Sequence, residues 1–153
     1  MTYQRRIIDG SLDELFPHVA AIAIEGAKGV GKTATASERV NTVVEFDDPA
    51  QTAVVAADLD YVTRLPRPVL LDEWTLFPPV WDKVRRLVDE DGAGGQFLLA
   101  GSADVPSSAR IHSGAGRIIS LRMRPQSFAE RGLADCTVSF SELLSGTKPA
   151  IRG

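Results

Sequence analysis

Cysteine is almost absent from this chain, which excludes several classes of protein. The 153 residues include one cysteine, Cys136, and two histidines. One cysteine cannot form an intrachain disulfide, and no Cys/His spacing typical of a structural metal site occurs. A chain without disulfides fits a reducing compartment, so we expect a cytoplasmic protein.

Long apolar runs and a strong excess of one charge are also missing. The first residues, MTYQRRIIDGSLDELF, lack the apolar segment of a signal peptide, and no apolar run approaches the length of a membrane span. The formal net charge is −3, so nothing global indicates a nucleic-acid or anionic membrane partner. We therefore expect neither a membrane nor nucleic acid among its partners.

Two functional patterns are absent as well. No G-x-S-x-G sequence occurs, which argues against the nucleophile elbow of a serine hydrolase. No N-K-x-D sequence occurs, which disfavours a GTPase because that motif reads the guanine base. The most informative feature is one that is present, a segment rich in glycine.

The glycine-rich loop, residues 26–33, reads Gly-Ala-Lys-Gly-Val-Gly-Lys-Thr. It fits G-x-x-x-x-G-K-[ST], the phosphate-binding P-loop or Walker A pattern, at every fixed position. Its glycines let the backbone turn sharply and bring N–H groups against phosphate oxygens. Lys32 can reach the β- and γ-phosphates, and the Thr33 hydroxyl can ligate Mg²⁺. The residues predicted to bind nucleotide are Gly26, Ala27, Lys28, Gly29, Val30, Gly31, Lys32 and Thr33.

The surroundings of this loop support the same prediction. An apolar run over residues 19–24 reads as a buried strand before it, and residues 33–40 read as a helix after it. Further on, Val-Leu-Leu-Asp-Glu at 69–73 is an apolar strand ending in two acids, which resembles a Walker B element. Such a strand places its terminal carboxylates at the ligand-binding edge of an open α/β sheet. We predict that Asp72 joins Thr33 in holding Mg²⁺, and that Glu73 orients or deprotonates the attacking water.

Strand and helix signals alternate along the rest of the chain. This alternation predicts an α/β fold, a P-loop NTPase three-layer α/β/α sandwich around a mostly parallel five-stranded sheet of the additional-strand, AAA+-like class. An amphipathic lead-in precedes it, Trp74 and Trp81 are expected in the core, and Pro125 favours the start of a further helix. The predicted strands cover residues 20–25, 42–46, 69–72, 96–101 and 117–122, and the predicted helices cover 32–40, 49–57 and 79–91.

Several pieces of the chain together resemble a known group. The sequence looks like the N-terminal ATPase domain of bacterial and archaeal AAA+ type ATPases that carry a C-terminal domain of unknown function. It looks like a short or truncated member, with an amphipathic lead-in at 1–18, a P-loop ATPase core at 19–135 and an incomplete C-terminal extension at 136–153. The pieces that carry the resemblance are 26–33, 70–74 (LLDEW), 96–102 (QFLLAGS), 112–117 (HSGAGR) and 121–125 (LRMRP).

The resemblance implies an Mg²⁺-dependent ATPase that acts as a homo-oligomer or beside a longer ATPase partner. It implies catalytic roles for two further residues. Arg117, with Arg110 as a weaker candidate, would be an arginine finger supplied to a neighbouring subunit. The group usually has a threonine where this chain has Ala100, so Ser102 would take over the polar contact near the γ-phosphate. Because of Ala100 we expect low intrinsic turnover.

Two other functions remain open at this point. One is a nucleotide-binding interaction module without turnover, which the apolar Ala100 and the short C-terminal region favour. The other is a small P-loop kinase acting on a metabolite, which the chain length suits, although an acceptor-binding acid and an arginine-rich lid are not evident.

Overall fold

Five parallel strands form the centre of the molecule. The computed structural model describes residues 3–102, 116–133, 138–146 and 148. The strands are β1 (Ala21–Glu25), β2 (Thr42–Glu45), β3 (Val69–Asp72), β4 (Phe97–Gly101) and β5 (Ile118–Arg122). They lie in the order β2-β3-β4-β1-β5, and every neighbouring pair is parallel. The predicted five-stranded sheet is confirmed, with β4 inserted between β1 and β3.

Five α-helices accompany the strands in the described ranges. They are α1 (Ile7–Leu15), α2 (Lys32–Ser37), α3 (Pro49–Ala57), α4 (Pro79–Glu90) and α5 (Phe140–Leu144). At α3, Asp48 accepts a hydrogen bond from the Ala50 amide at 2.9 Å and Pro49 occupies the first turn. Within the described ranges, no helix is both long enough and apolar enough to cross a membrane.

Helices cover both faces of the sheet because successive strand residues point to opposite sides. On one face, Ala21, Val69 and Phe97 join a cluster that includes residues of α3 and α4. On the other face, Ile22 and Leu98 join a cluster that includes Leu12 of α1 and Ala36 of α2. The three-layer arrangement predicted from the sequence is therefore confirmed.

The two tryptophans belong to the core, as predicted. Trp74 is fully buried and stacks on Trp81, with ring centroids 4.6 Å apart. Trp74 also explains a glycine in β4, because a Cβ on Gly101 would lie 2.7 Å from the indole Nε1. The end of β4 therefore has to be small where the segment after β3 crosses it.

The helix predicted from Pro125 onward does not form, so that prediction is wrong. Residues 123–127 are irregular, and a single turn follows. The Ser127 hydroxyl accepts from the Glu130 amide at 3.2 Å, while the Glu130 carboxylate accepts from the Ser127 amide at 2.7 Å. This reciprocal cap starts the turn, and Gly132, with a φ of 65°, ends it.

The Glu130 carboxylate also accepts hydrogen bonds from the N-terminal part of the chain. It also accepts from the Ile7 amide at 2.7 Å and from Nε of Arg6 at 3.1 Å. The backbone hydrogen bonds from Ile7 and Ser127, followed by the side chains of Ser127 and Arg6, lower the pKa of Glu130 from 4.5 to about 2. The turn after β5 is thereby attached to the start of α1.

This carboxylate should make the stability of the fold depend on pH. A group whose pKa is lowered by folding stabilises the folded state above its unfolded pKa and loses that effect as pH falls through its folded pKa. We expect Glu130→Gln to be less stable than wild type near pH 7 and to show a shallower loss of stability between pH 4.5 and 2. Urea titrations at several pH values measure both. The control is Glu14→Gln, on the exposed side of α1; equal slopes for wild type and Glu130→Gln would contradict the expectation.

Candidate functional site

The glycine-rich loop connects β1 to α2, and three of its positions require glycine for steric or conformational reasons. A Cβ on Gly26 would lie 2.4 Å from the Met123 carbonyl oxygen, because the chain leaving β5 passes directly over the loop. Gly29 and Gly31 have φ values of 81° and 98°, in the left-handed region that side chains disfavour. Close approach therefore accounts for the first glycine, and backbone conformation accounts for the other two.

Lys32 is the charged residue enclosed by this loop. Its side chain is buried, and Nζ donates to the carbonyl oxygens of Gly26 at 2.9 Å and Ala27 at 3.0 Å. These acceptors are neutral, whereas phosphate oxygens would make shorter and stronger charge-assisted bonds with an ammonium group. The residues at the tip of the loop, Ala27 to Gly29, are exposed.

The acid predicted at the end of β3 does meet the glycine-rich loop. Thr33 Oγ1 donates to Asp72 Oδ2 at 2.8 Å, although the two residues are 39 positions apart and β4 lies between β3 and the strand β1 that leads into the loop. The register aligns Asp72 with Ala100, and Ala100 with Ile24. The small Ala100 thus lies between the ends of the two strands.

Glu73 occupies the next position in an unusual backbone conformation. Its φ and ψ are 49° and 39°, and among the described residues it is the only non-glycine residue with a positive φ. Its amide donates to Asp72 Oδ1 at 3.1 Å, so both oxygens of Asp72 accept hydrogen bonds. Strained conformations of this kind cost free energy and cluster at functional sites. The half-buried Glu73 side chain leaves the sheet at the edge where Thr33 and Asp72 meet.

The other predicted catalytic residues fall at different ends of the sheet. Ser102 directly follows β4 at the carboxyl edge and is half-buried. Arg117 precedes β5, at the opposite edge, and its guanidinium binds the Asp89 carboxylate of α4. Arg117 is therefore remote from the glycine-rich loop of its own chain. Arg110, like Cys136, lies outside the described residues.

A cavity of about 740 Å³ opens beside the glycine-rich loop, on the side of α2 that faces the N-terminal residues. Its volume falls in the range of small-molecule sites. It adjoins the loop, and neither Asp72 nor Glu73 is among its described lining residues. Outside the loop, the lining consists of Tyr3, Gln4, Arg6, Ala34, Thr35, Ser37, Glu38, Pro125 and Gln126.

The groups that support the loop from outside were not predicted from the sequence. Arg6, at the start of α1, donates to the Val30 carbonyl at 2.7 Å. The Tyr3 hydroxyl donates to Asp9 at 2.6 Å and forms a second hydrogen bond, 3.1 Å long, with the hydroxyl of Thr35 in α2. Burial opposes ionisation of Asp9, but the hydrogen bonds from Tyr3, the Arg6 amide and Arg39 lower its pKa overall. A single arginine or tyrosine before a helix belongs to no sequence motif, so the contacts of Arg6 and Tyr3 could not be predicted. Ser127-x-x-Glu130, by contrast, matches the capping-box motif.

The parallel sheet, its strand order and the loop after β1 define an α/β fold of the P-loop NTPase type. Residues 18–132, most of the chain, match the AAA domain family, so the chain belongs to that family. This membership indicates nucleotide binding and ATPase-like function, usually with Mg²⁺. No curated protein matches the sequence.

The close approach at Gly26 gives a test of the loop. In Gly26→Ala the new methyl group would collide with the Met123 carbonyl, so either the loop or the exit of β5 must shift. We expect a loss of stability of about 1–3 kcal/mol, the scale of overpacking, and weaker nucleotide binding. Thermal unfolding and titration with a fluorescent ATP analogue measure the two effects.

The matched control is Gly10→Ala in α1, where a Cβ would meet nothing within 4 Å. That change should be neutral or stabilising, since alanine favours the helix by about 0.5–1 kcal/mol. If Gly26→Ala behaved like Gly10→Ala, the close approach would not constrain the loop.

Proposed function

We propose that this AAA domain binds ATP and hydrolyses it slowly with Mg²⁺. The observation that carries the proposal is the 2.8 Å hydrogen bond from Thr33 Oγ1 to Asp72 Oδ2. It joins a residue of the glycine-rich loop to the acid at the end of β3, which are the two halves expected of a metal–nucleotide site.

The loop supplies the contacts for the phosphates. Its backbone N–H groups would bind phosphate oxygens, and Lys32 would exchange the Gly26 and Ala27 carbonyls for the β- and γ-phosphates. The cavity beside the loop offers a place for the nucleoside. Ala27, Lys28 and Val30 contribute through their backbone or their position in the loop.

Thr33 and Asp72 fit a magnesium ion by the chemistry of their donors. A hydroxyl and a carboxylate oxygen already converge to 2.8 Å, and Mg²⁺ is commonly bound by one or two such ligands together with substrate phosphates. When bound, Mg²⁺ supplies positive charge against the phosphate oxygens. Asp72 is oriented for this role by the Glu73 amide.

Glu73 would position the water and accept its proton. Its carboxylate follows the proposed metal ligand directly, and the left-handed backbone at Glu73 turns the chain away from the strand direction. Ser102, at the end of the neighbouring β4, would add a hydrogen bond near the γ-phosphate. The Glu73 carboxylate would take up the proton as the water oxygen bonds to the γ-phosphorus and the bond to the β-phosphate oxygen breaks.

A binding module without turnover is the second candidate. The buried Ala100 offers no polar group beside Asp72, and Arg117 binds Asp89 at the far edge of the sheet. Both observations point to a site that holds nucleotide better than it cleaves it.

Within the AAA family, we propose kinship with the ATPases that carry a C-terminal domain of unknown function. We further propose a cytoplasmic location and assembly with copies of itself or with a longer ATPase.

Removing the loop lysine should abolish most of the nucleotide affinity. In Lys32→Ala the buried ammonium is lost, and with it the charge-assisted bonds to phosphate. We expect at least a tenfold weaker affinity for ATP with Mg²⁺, equivalent to about 1.4 kcal/mol or more. The control is Lys83→Ala, in α4 on the other face of the sheet. Equal affinity of wild type and Lys32→Ala would contradict phosphate binding by this loop.

Neutralising Glu73 should separate binding from hydrolysis. Glu73→Gln keeps the size of the side chain but cannot take up a proton, so ATP affinity should stay within about twofold while phosphate release falls by roughly 10²-fold or more. Single-turnover phosphate release measures this. Glu45→Gln, an exposed acid at the end of β2, serves as control. Unchanged release by Glu73→Gln would exclude Glu73 as the base.

We expect turnover to depend on assembly because of the position of Arg117. A residue at the far edge of its own sheet can act only on the nucleotide of a neighbour, and an arginine finger contributes on the order of 10³-fold or more. We expect turnover per chain to rise with protein concentration and this rise to disappear in Arg117→Ala. Turnover that is fast in dilute solution and insensitive to Arg117→Ala would contradict the neighbour-finger proposal.

A further inference from the structure

Arg6 connects three segments that are far apart in the sequence. Its side chain, 7% exposed, lies where α1 begins. Nη1 donates to the Val30 carbonyl of the glycine-rich loop at 2.7 Å, Nη2 donates to the Arg124 carbonyl at 2.8 Å, and Nε donates to Glu130 at 3.1 Å. One planar guanidinium group thus holds the loop, the chain after β5 and the turn at Glu130.

The contact with Val30 has a consequence for the neighbouring amide. In a trans peptide the C=O and the N–H point in opposite directions. Because the Val30 carbonyl is directed at Arg6, the N–H of Gly31 in the same peptide is directed away from it. Arg6 also packs against Gly31, with Nη1 3.4 Å from the position that a Cβ would take. The guanidinium therefore fixes the orientation of a loop amide that phosphate would use.

The counter-charge of Arg6 is itself fixed. The Glu130 side chain is 9% exposed and accepts the Ile7 and Ser127 amides, both at 2.7 Å, besides Arg6. Those bonds hold the carboxylate at the base of the guanidinium and keep it ionised across the neutral pH range. Breaking one partner of a buried ion pair leaves an uncompensated charge, so Arg6 is held in place from both sides.

We infer that Arg6 is a positioning residue for the phosphate site: by binding the Val30 carbonyl, it orients the Gly31 amide in the geometry that phosphate requires. This inference rests on the proposed function, since it assigns Arg6 to the same nucleotide. Arg6 also lines the cavity beside the loop, but the role assigned to it is exerted through the loop backbone and not through a contact with ATP.

If Arg6 were only structural, its role would be to attach α1 to the sheet. Another arginine, Arg39, attaches α1 without contacting the loop and therefore serves as a comparison. Arg39 of the segment after α2 binds Asp9 at 2.7 Å and Asp13 at 2.6 Å, both in α1. This pairing attaches α1 to the other helix of its layer without contacting the glycine-rich loop. Arg39→Ala therefore reports what loosening α1 does by itself. Arg5, 69% exposed and paired with Asp13, is the sequence neighbour that should be neutral.

The experiment compares ATP affinity with stability across these variants. Arg6→Lys keeps the charge but loses the planar set of donors that reaches three acceptors at once. We expect its affinity for a fluorescent ATP analogue with Mg²⁺ to fall about tenfold or more. Glu130→Gln should weaken affinity in the same direction but less. Arg39→Ala should lower the melting temperature while leaving affinity within about twofold at a temperature well below melting, and Arg5→Ala should change neither.

The outcomes separate this inference from the proposed function. Wild-type affinity in Arg6→Lys, or an equal loss in Arg39→Ala at matched stability, would overturn the positioning role. If Arg6→Lys does not fold, the comparison of Glu130→Gln with Arg39→Ala decides in the same way. If wild type and Lys32→Ala bind ATP equally, the proposed function itself fails. If Lys32→Ala loses binding while the Arg6 and Glu130 variants retain it, only this inference fails.

Discussion

The hydrogen bond between Thr33 and Asp72 is the contact on which the candidate site depends. It is possible only because several independent features of the fold agree. Parallel pairing brings the carboxyl ends of β1 and β3 to one edge, and the intervening β4 ends in Ala100 and Gly101, which are small. The bond links a loop that binds phosphate in other proteins to an acid that could share a metal with it, and the ATPase proposal follows from that link.

The architecture was accessible from the sequence because its signals are local. The apolar runs that became β3 and β4 are short and fully buried, as expected for central parallel strands. Proline and aspartate marked the start of α3 through a capping bond within three residues. The helix expected after Pro125 does not form, and the contacts found there are partly local and partly long-range. Glu130 caps the turn that begins at Ser127, but its remaining hydrogen-bonding capacity goes to α1, more than 120 positions earlier.

The supporting groups of the site could not be predicted in the same way. Fixed spacing indicated Lys32 and Thr33, since phosphate and metal chemistry demand those residue types in that order, and an apolar run ending in two acids indicated Asp72. Arg6 depends instead on where three segments meet in space, and no spacing encodes that meeting. The positive φ of Glu73 is likewise a product of the tertiary structure. The roles of Glu73, Ser102 and Arg117 in hydrolysis remain predictions, and only Ser102 and Glu73 lie at the edge of the sheet where the loop is.

The central claim is that the glycine-rich loop and β3 form one magnesium–nucleotide site. A double-mutant cycle on Thr33→Val and Asp72→Asn, read out as the increase in ATP affinity that Mg²⁺ produces, tests it most directly. If the two residues share the ion, either change alone should remove most of the increase, and the double variant should lose little more. Additive losses, or a magnesium effect that survives both substitutions, would contradict the account.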